Sequence, residues 1–140
     1  MKEVFVTGGT GFIGSLVVEN LVRKNYNVRC LVRETSNVDF LKKLNVEVVY
    51  GDLRDKNSLC KGLKNIDTVY HLGAILGGYG TPKELQYEVN VLGTRNILEE
   101  SFRQDVKKFI HFSTFAVYGY TNPIANEGTP QKGLASPYAI

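Results

Sequence analysis

Several residue types are scarce in this 140-residue sequence, which has no tryptophan, one methionine, four prolines and two cysteines. The cysteines have no metal-ligand spacing, so we expect no metal site. Cys30 falls inside a predicted strand, where a buried thiol behaves as a small apolar side chain, and Cys60 falls on a predicted polar helix. We interpret both as structural residues.

Long apolar runs and clusters of like charge are also absent. No stretch reaches the roughly 18 apolar residues of a membrane-spanning helix, and the N-terminus enters a strand without a signal-type segment. The net charge is +3 with scattered lysines and arginines, which slightly favours an anionic ligand and leaves no nucleic-acid footprint. We expect a cytoplasmic protein that contacts neither a membrane nor nucleic acid.

What is present fits a single α/β domain over residues 1–140. The composition is ordinary for a globular protein, at 43% hydrophobic and 22% charged residues. A chain of this length buries about two-thirds of its unfolded surface, which is enough for one core. We find no internal repeat, low-complexity tract or second domain boundary.

Hydrophobic periodicity predicts strands that alternate with helices. Strands are predicted at 4–6, 28–32, 46–50, 68–72 and 108–112. A first helix ends near residue 24, a short helix capped by Asn37 covers 38–44, another covers 55–63, and one long helix begins at Pro82 and reaches about Arg103. Residues 119–137 are predicted as loop. This alternation indicates a parallel, doubly wound sheet with right-handed crossovers, as in the Rossmann fold.

The most informative feature is the strand at 4–6 followed by the sequence TGGTGFIG at 7–14. Gly8 permits a tight turn, Gly11 lets the backbone approach a pyrophosphate without a Cβ, and Gly14 allows close packing of the helix on the sheet. The pyrophosphate would lie on the free N–H groups of the following helix. We therefore predict a dinucleotide site that includes Gly8, Thr10, Gly11, Phe12, Ile13 and Gly14.

The end of the second predicted strand indicates which dinucleotide is preferred. An acidic residue there, about 20 residues beyond the glycine loop, binds the ribose of NAD, whereas an arginine accommodates the 2′-phosphate of NADP. Arg33 occupies this position, and Ser36 could add a hydroxyl. Glu34 could instead accept a ribose hydroxyl, so NAD stays open while NADP is favoured.

The ends of the third and fourth strands add further candidate cofactor residues. The Asp52 carboxylate could accept the adenine amino group while Leu53 packs on the ring, or Asp52 could simply cap a helix. Leu72, Gly73 and Ala74 place small residues and backbone beside the cofactor ribose.

Two histidines lie on predicted strands. His71 and His111 have no neighbouring nucleophile in the sequence that a catalytic triad would use. We interpret them as packed or edge-facing residues rather than catalysts.

Six motifs in order resemble the extended short-chain dehydrogenase/reductases, the NAD(P)-dependent sugar-nucleotide epimerase/dehydratase family. They are residues 7–14 (TGGTGFIG), 51–53 (GDL), 71–74 (HLGA), 90–96 (NVLGTRN), 113–119 (STFAVYG) and 136–138 (SPY). The resemblance extends over the whole chain, and the ordered set is far more specific than any one motif.

The resemblance implies roles for further residues. Tyr138 would be the catalytic acid/base, Thr114, with Ser113 beside it, the hydroxyl partner, and Asn90 the helix residue that shapes the site behind the fourth strand. The family's lysine, four residues after the tyrosine, would fall two residues past Ile140. We therefore expect an N-terminal portion of a longer enzyme, without turnover on its own.

The implied substrate is a small molecule, with a nucleotide sugar favoured, and a homodimer is one option for the whole enzyme. Two alternatives stay open. One is an NADP-dependent reductase of small ketones or aldehydes, because the sequence Leu31-Val32-Arg33 resembles that of the NADP-dependent reductase branch. The other is a non-catalytic NAD(P)-binding module.

Overall fold

Five parallel strands form one sheet in the order β3-β2-β1-β4-β5. The structure is a computed structural model of the chain, and it describes residues 2–77, 80–119 and 124–133. The strands are β1 (Glu3–Thr7), β2 (Asn27–Val32), β3 (Glu47–Tyr50), β4 (Thr68–His71) and β5 (Lys108–His111). Each pairs in parallel with its neighbours. The predicted parallel sheet and all five strands are confirmed, with no end shifted by more than one residue.

Helices connect the strands as the periodicity predicts. They are α1 (Phe12–Arg23), α2 (Asp39–Lys43), α3 (Lys56–Gly62), α4 (Lys83–Gln86) and α5 (Thr94–Arg103). Asn37 is not the capping residue of α2: Val38 occupies that position, and the Asn37 side chain accepts the Asp39 N–H at 2.9 Å from one residue further out.

The long helix predicted over 82–103 is not one regular α-helix. A π-helix at Tyr87–Gly93 separates α4 from α5. A short 3₁₀-helix at Phe115–Tyr118, which the sequence pattern did not predict, follows β5. The apolar spacing marks the buried side of a helix but does not reveal a change in its hydrogen-bonding period.

Strand β1 is buried on both sides, which shows that both faces of the sheet are covered there. Val4 and Val6 join an apolar cluster that includes Leu21 of α1 and Leu41 of α2. Phe5 joins the opposite cluster, which includes residues of α3 and α5. Alternate residues of a central parallel strand are expected to be apolar on both faces.

Cys30 and Cys60 behave as predicted. Cys30 is buried in β2, where burial raises the pKa of its thiol to about 12. Cys60 lies on α3 and is partly exposed.

The strand order creates a crevice at the edge of the sheet formed by the carboxyl ends of its strands, between β1 and β4. The chain leaves β1 toward β2 on one side, and β4 pairs with β1 on the other side. In doubly wound sheets ligands bind outside the carboxyl ends of the strands at such a reversal. The carboxyl ends of β1 and β4 are Thr7 and His71.

Candidate functional site

Two adjoining cavities lie at this edge, with volumes of about 310 Å³ and 440 Å³. Residues that line both are Gly8, Gly11, Leu72, Gly73 and Ala74. The glycine loop and the chain after β4 therefore form a shared wall, and the crevice continues to either side of it. Such a shape suits an extended ligand with its middle at the glycine loop.

The glycine loop closes on itself through backbone contacts. Gly8 has φ +74°, and a Cβ there would lie 2.8 Å from the carbonyl carbon of Leu72. Gly14 packs so closely that a Cβ would collide with the carbonyl group of Gly8. A Cβ at Gly11 would meet only the Gly8 oxygen, at 3.2 Å. Gly8 and Gly14 are thus required by the fold, whereas a Cβ at Gly11 would need only a small shift of the Gly8 carbonyl group.

The amino end of α1 opens into the crevice. Gly11 is its capping residue, so no side chain accepts the first-turn N–H groups, and the first turn contains no acidic residue. Phe12 and Ile13 are exposed. The free N–H groups and the helix dipole of this 12-residue helix favour an anion.

The first cavity contains the residues predicted to bind the adenosine end. Arg33 and Ser36 line it beyond the end of β2, where the Ser36 N–H donates to the Arg33 carbonyl oxygen at 2.9 Å. Arg33 is exposed, and no acidic side chain in the described ranges forms an ion pair with it. Its guanidinium is therefore available to an anionic group of a ligand.

Asp52 and Leu53 line the same cavity beyond β3. Hydrogen bonds from Arg54 hold the pKa of the Asp52 carboxyl below its usual range, with a smaller contribution from the charge of Arg33. The alternative interpretation of Asp52 as a helix cap is wrong. Asp55 caps α3, since its carboxylate accepts the N–H groups of Asn57 and Ser58.

A buried histidine links three elements beneath the shared wall. The Thr7 hydroxyl lies 2.7 Å from Nδ1 of His71, whose Nε2 lies 2.9 Å from the Thr94 hydroxyl. The Gly73 N–H also donates to Thr7 Oγ1, at 3.0 Å. This set of bonds is satisfied by a neutral imidazole protonated on Nε2, which accepts the Thr7 proton and donates to Thr94.

Burial, together with the charge of nearby His111, lowers the pKa of His71 to about 4. His71 is therefore a packed strand residue, as interpreted from the sequence. His111 is exposed on the edge strand β5 and stacks on His71 with ring centroids 5.4 Å apart.

Asn90, on the π-helix, holds the chain after β4. Its Oδ1 accepts the Ile75 N–H at 2.7 Å, and its Nδ2 donates to the Ile75 carbonyl oxygen at 2.9 Å. The carbonyl and amino groups of the Asn90 side chain thus both bond to Ile75, which directly follows the part of the shared wall formed by residues 72–74.

The second cavity brings together the residues predicted for chemistry. It is lined by Asn90, Ser113 and Thr114, among others. The Thr114 hydroxyl accepts the Ala116 N–H at 3.3 Å and so caps the 3₁₀-helix. Tyr138 lies outside the described residues. Among the described residues, no group of three or more His, Cys, Asp or Glu could hold a metal ion.

Arg54 and Thr94 were not predicted as site residues, although Arg54 pairs with Asp52 and Thr94 bonds to His71 beneath the second cavity. Arg54 follows Asp52 by two residues, and its guanidinium pairs with that carboxylate at 2.9 Å. The sequence did contain one signal for this pairing, because Arg54 is a positively charged residue only two positions after Asp52, which was predicted to bind the cofactor.

No helix in the described part of the chain is both long and apolar enough to cross a bilayer.

Comparison with known proteins identifies the family. The NAD dependent epimerase/dehydratase family model matches residues 4–140. The chain is 36% identical to sterol demethylase protein B of Methylococcus capsulatus over 114 residues, which is 81% of this chain and 35% of that protein. It is 30% identical to a 4-hydroxy-2-methyl-3-oxo-4-farnesyl-3,4-dihydroquinoline-1-oxide ketoreductase of Stigmatella aurantiaca, over 87% of this chain and 36% of that protein.

Among solved structures, UDP-glucose 4-epimerase of Thermus thermophilus in complex with NAD superposes with a TM-score of 0.84 and 34% identity. The match covers 98% of this chain and 46% of that one. The chain thus spans a third to a half of the length of these relatives. The chain belongs to the NAD dependent epimerase/dehydratase family.

Proposed function

We propose that this chain is the cofactor-binding portion of an NAD(P)-dependent epimerase or dehydratase that acts on a nucleotide sugar. The observation that carries the proposal is the pair of cavities joined at the glycine loop. One contains Arg33 and Asp52, and the other contains Ser113 and Thr114. A dinucleotide with its pyrophosphate at the amino end of α1 would fit one nucleoside in each.

The residues present fit such a cofactor. Gly11 lines both cavities and presents backbone without a Cβ, and the uncapped first turn of α1 favours a diphosphate. Asp52 and Leu53 offer a carboxylate and an apolar side chain to adenine, and Gly73 offers backbone to a ribose. When bound, the nicotinamide ring accepts or supplies a hydride.

NADP is the favoured cofactor, and Arg33 supports this preference. Arg33 is the first residue after β2 and lines the first cavity, at the position where an arginine accommodates a 2′-phosphate. A charged hydrogen bond to phosphate favours NADP over NAD by about 10-fold to 100-fold. The related structure named above was solved with NAD, so NAD is the alternative.

The second cavity supports proton transfer at a carbinol oxygen. Loss of a hydride from the carbinol carbon requires loss of the hydroxyl proton, and Tyr138 is proposed to accept it. The Thr114 hydroxyl still has a proton to donate after accepting the Ala116 N–H, so it can hold the substrate oxygen in line. A tyrosine with the ordinary pKa of about 10 is only about one part in a thousand ionised at pH 7, so Tyr138 needs a nearby cation.

The test uses the protein made from its complete coding sequence, supplied with UDP-glucose and dTDP-glucose. We expect conversion of one of these to a 4-epimer or a 4-keto-6-deoxy sugar. Tyr138→Phe should lower kcat by at least about 100-fold while cofactor affinity changes little. Tyr118→Phe, on the 3₁₀-helix, is the matched control. Unchanged turnover in Tyr138→Phe would contradict the assignment.

A reductase of small ketones or aldehydes is the second candidate. Arg33 favours it, because an NADP preference suits a net reduction, and one relative named above is a ketoreductase. Steady oxidation of NADPH by a small ketone, with no conversion of nucleotide sugars, would select this candidate. Cofactor binding without turnover on either substrate class would select the non-catalytic module.

A further inference from the structure

We propose that Arg54 is a positioning residue that makes the first cavity selective for a purine with a 6-amino group. It does so by fixing the Asp52 carboxylate in one orientation. The inference rests on the proposed dinucleotide binding and adds to it a determinant of base selectivity.

Arg54 occupies most of the hydrogen-bonding capacity of Asp52. Its Nε donates to Asp52 Oδ1 at 2.9 Å, and its Nη2 donates to Oδ2 at 3.0 Å. The Arg54 backbone N–H also donates to Oδ1, at 2.9 Å. A carboxylate has about four acceptor positions. Arg54 fills three of them, which leaves one on Oδ2 in a carboxylate that cannot rotate freely.

Arg54 is itself held on its other side. Its Nη1 lies 3.4 Å from Glu88 Oε2 on the π-helix, so the guanidinium is placed between two carboxylates. The two arginines that line the first cavity therefore have different roles. Arg33 keeps its charge available for an anion, whereas Arg54 uses its charge on Asp52 and Glu88.

The remaining acceptor on Asp52 distinguishes two kinds of base. A 6-amino group donates a hydrogen bond to it, whereas a 6-oxo group places an oxygen against a carboxylate. Without the Arg54 side chain, only the backbone N–H of residue 54 still holds the carboxylate, through Oδ1. Oδ2 can then turn toward water or toward the N1–H of a 6-oxo base, so it distinguishes the two bases less. Arg54 therefore acts through Asp52 on the ratio of affinities for the two bases. A residue needed only for stability would lower both affinities together.

The experiment measures the dissociation constants of NADP and of deamino-NADP, which carries hypoxanthine, by calorimetry. The unmodified chain should bind NADP about 10-fold more tightly, as expected for one hydrogen bond to a charged group. In Arg54→Ala the ratio should fall below about 3-fold. Arg54→Lys should behave in the same way, because an ammonium on a flexible stem lacks the rigid planar fork that fixes the orientation of a carboxylate.

Arg95→Ala is the control, since it removes an exposed arginine paired with Glu99 at 3.1 Å outside both cavities. It should keep the full ratio. A ratio that persists in Arg54→Ala, or is fully kept by Arg54→Lys, overturns the proposal while leaving cofactor binding standing. Failure of the unmodified chain to bind either dinucleotide overturns both the proposal and the function on which it rests.

Discussion

The side-chain amide of Asn90 pairs with both backbone groups of Ile75, at 2.7 Å to the nitrogen and 2.9 Å to the oxygen. The π-helix is thereby tied to the chain that follows β4, which carries Gly73 and Ala74 at the wall shared by the two cavities. Asn90 thus shapes the crevice through Ile75.

Replacing Asn90 with aspartate should weaken both the fold and the site. The change keeps one acceptor oxygen but loses the donor and places a negative charge against the Ile75 carbonyl. We expect the free energy of unfolding in urea to fall by about 1–3 kcal/mol and the dissociation constant of NADP to rise several-fold. Asn20→Asp is the control, since Asn20 makes the same kind of side-chain bond to a carbonyl, that of Leu16, at an exposed position. Equal NADP affinities in the two variants would contradict the role of Asn90.

Valine at Gly11 and at Gly14 should have opposite effects. Gly11 has φ −83° and ψ 172°, which valine adopts readily, and its Cβ would meet only the Gly8 oxygen, at 3.2 Å, a contact that a small shift of that carbonyl group relieves. Gly11→Val should therefore keep a native circular dichroism spectrum and lose dinucleotide binding by steric exclusion. Gly14→Val should destabilise the fold, because its Cβ collides with the Gly8 backbone. Unchanged NADP affinity in a folded Gly11→Val variant would show that the phosphates lie elsewhere.

Reversing the charge at Arg33 should change the choice of cofactor. The unmodified chain should bind NADP about 10-fold to 100-fold more tightly than NAD, and Arg33→Asp should remove or reverse that preference. Arg23→Asp provides the comparison, because Arg23 is an exposed arginine on α1 that lines neither cavity. If the unmodified chain bound both dinucleotides equally, Arg33 would be only a solvated loop residue.

The sheet and the glycine loop could be predicted from the sequence because they depend on local signals. Apolar runs identified the five strands seen in the described residues, and the positions of Gly8 and Gly14 correspond to backbone contacts that exclude any Cβ. The π-helix at Tyr87–Gly93 could not be predicted, because its apolar spacing is compatible with an α-helix.

The choice between two nearby aspartates also required the structure. Asp52 and Asp55 are both reasonable helix caps by residue type. Only the start of α3 at Lys56 shows that Asp55 is the cap, which leaves Asp52 at the cavity with Arg54. The pairing of Arg54 with both Asp52 and Glu88 likewise depends on how the π-helix packs over the loop after β3.

His71 should make stability depend on pH. Its pKa is about 4 in the folded chain and 6.5 when unperturbed, so the unfolded chain binds a proton more readily. Neutral His71 makes its full contribution to the free energy of unfolding above pH 6.5. That contribution is lost as the pH falls toward 4, at about 1.4 kcal/mol per pH unit and about 3 kcal/mol in total. His71→Gln should reduce the slope of unfolding free energy against pH in this window, whereas His111→Gln should reduce it less. An unchanged slope in His71→Gln would mean that His71 does not stay neutral in the fold.

We propose that a dinucleotide lies across the crevice with its pyrophosphate at the glycine loop. The most direct measurement is NMR chemical-shift mapping of backbone amides in the isotope-labelled chain during titration with NADP. We predict the largest changes at residues 8–14, with further changes at Arg33 and Gly73 and almost none at the amino ends of the strands. A folded chain whose amides at residues 8–14 do not respond to saturating NADP or NAD, or whose changes cluster away from the crevice, would contradict the account.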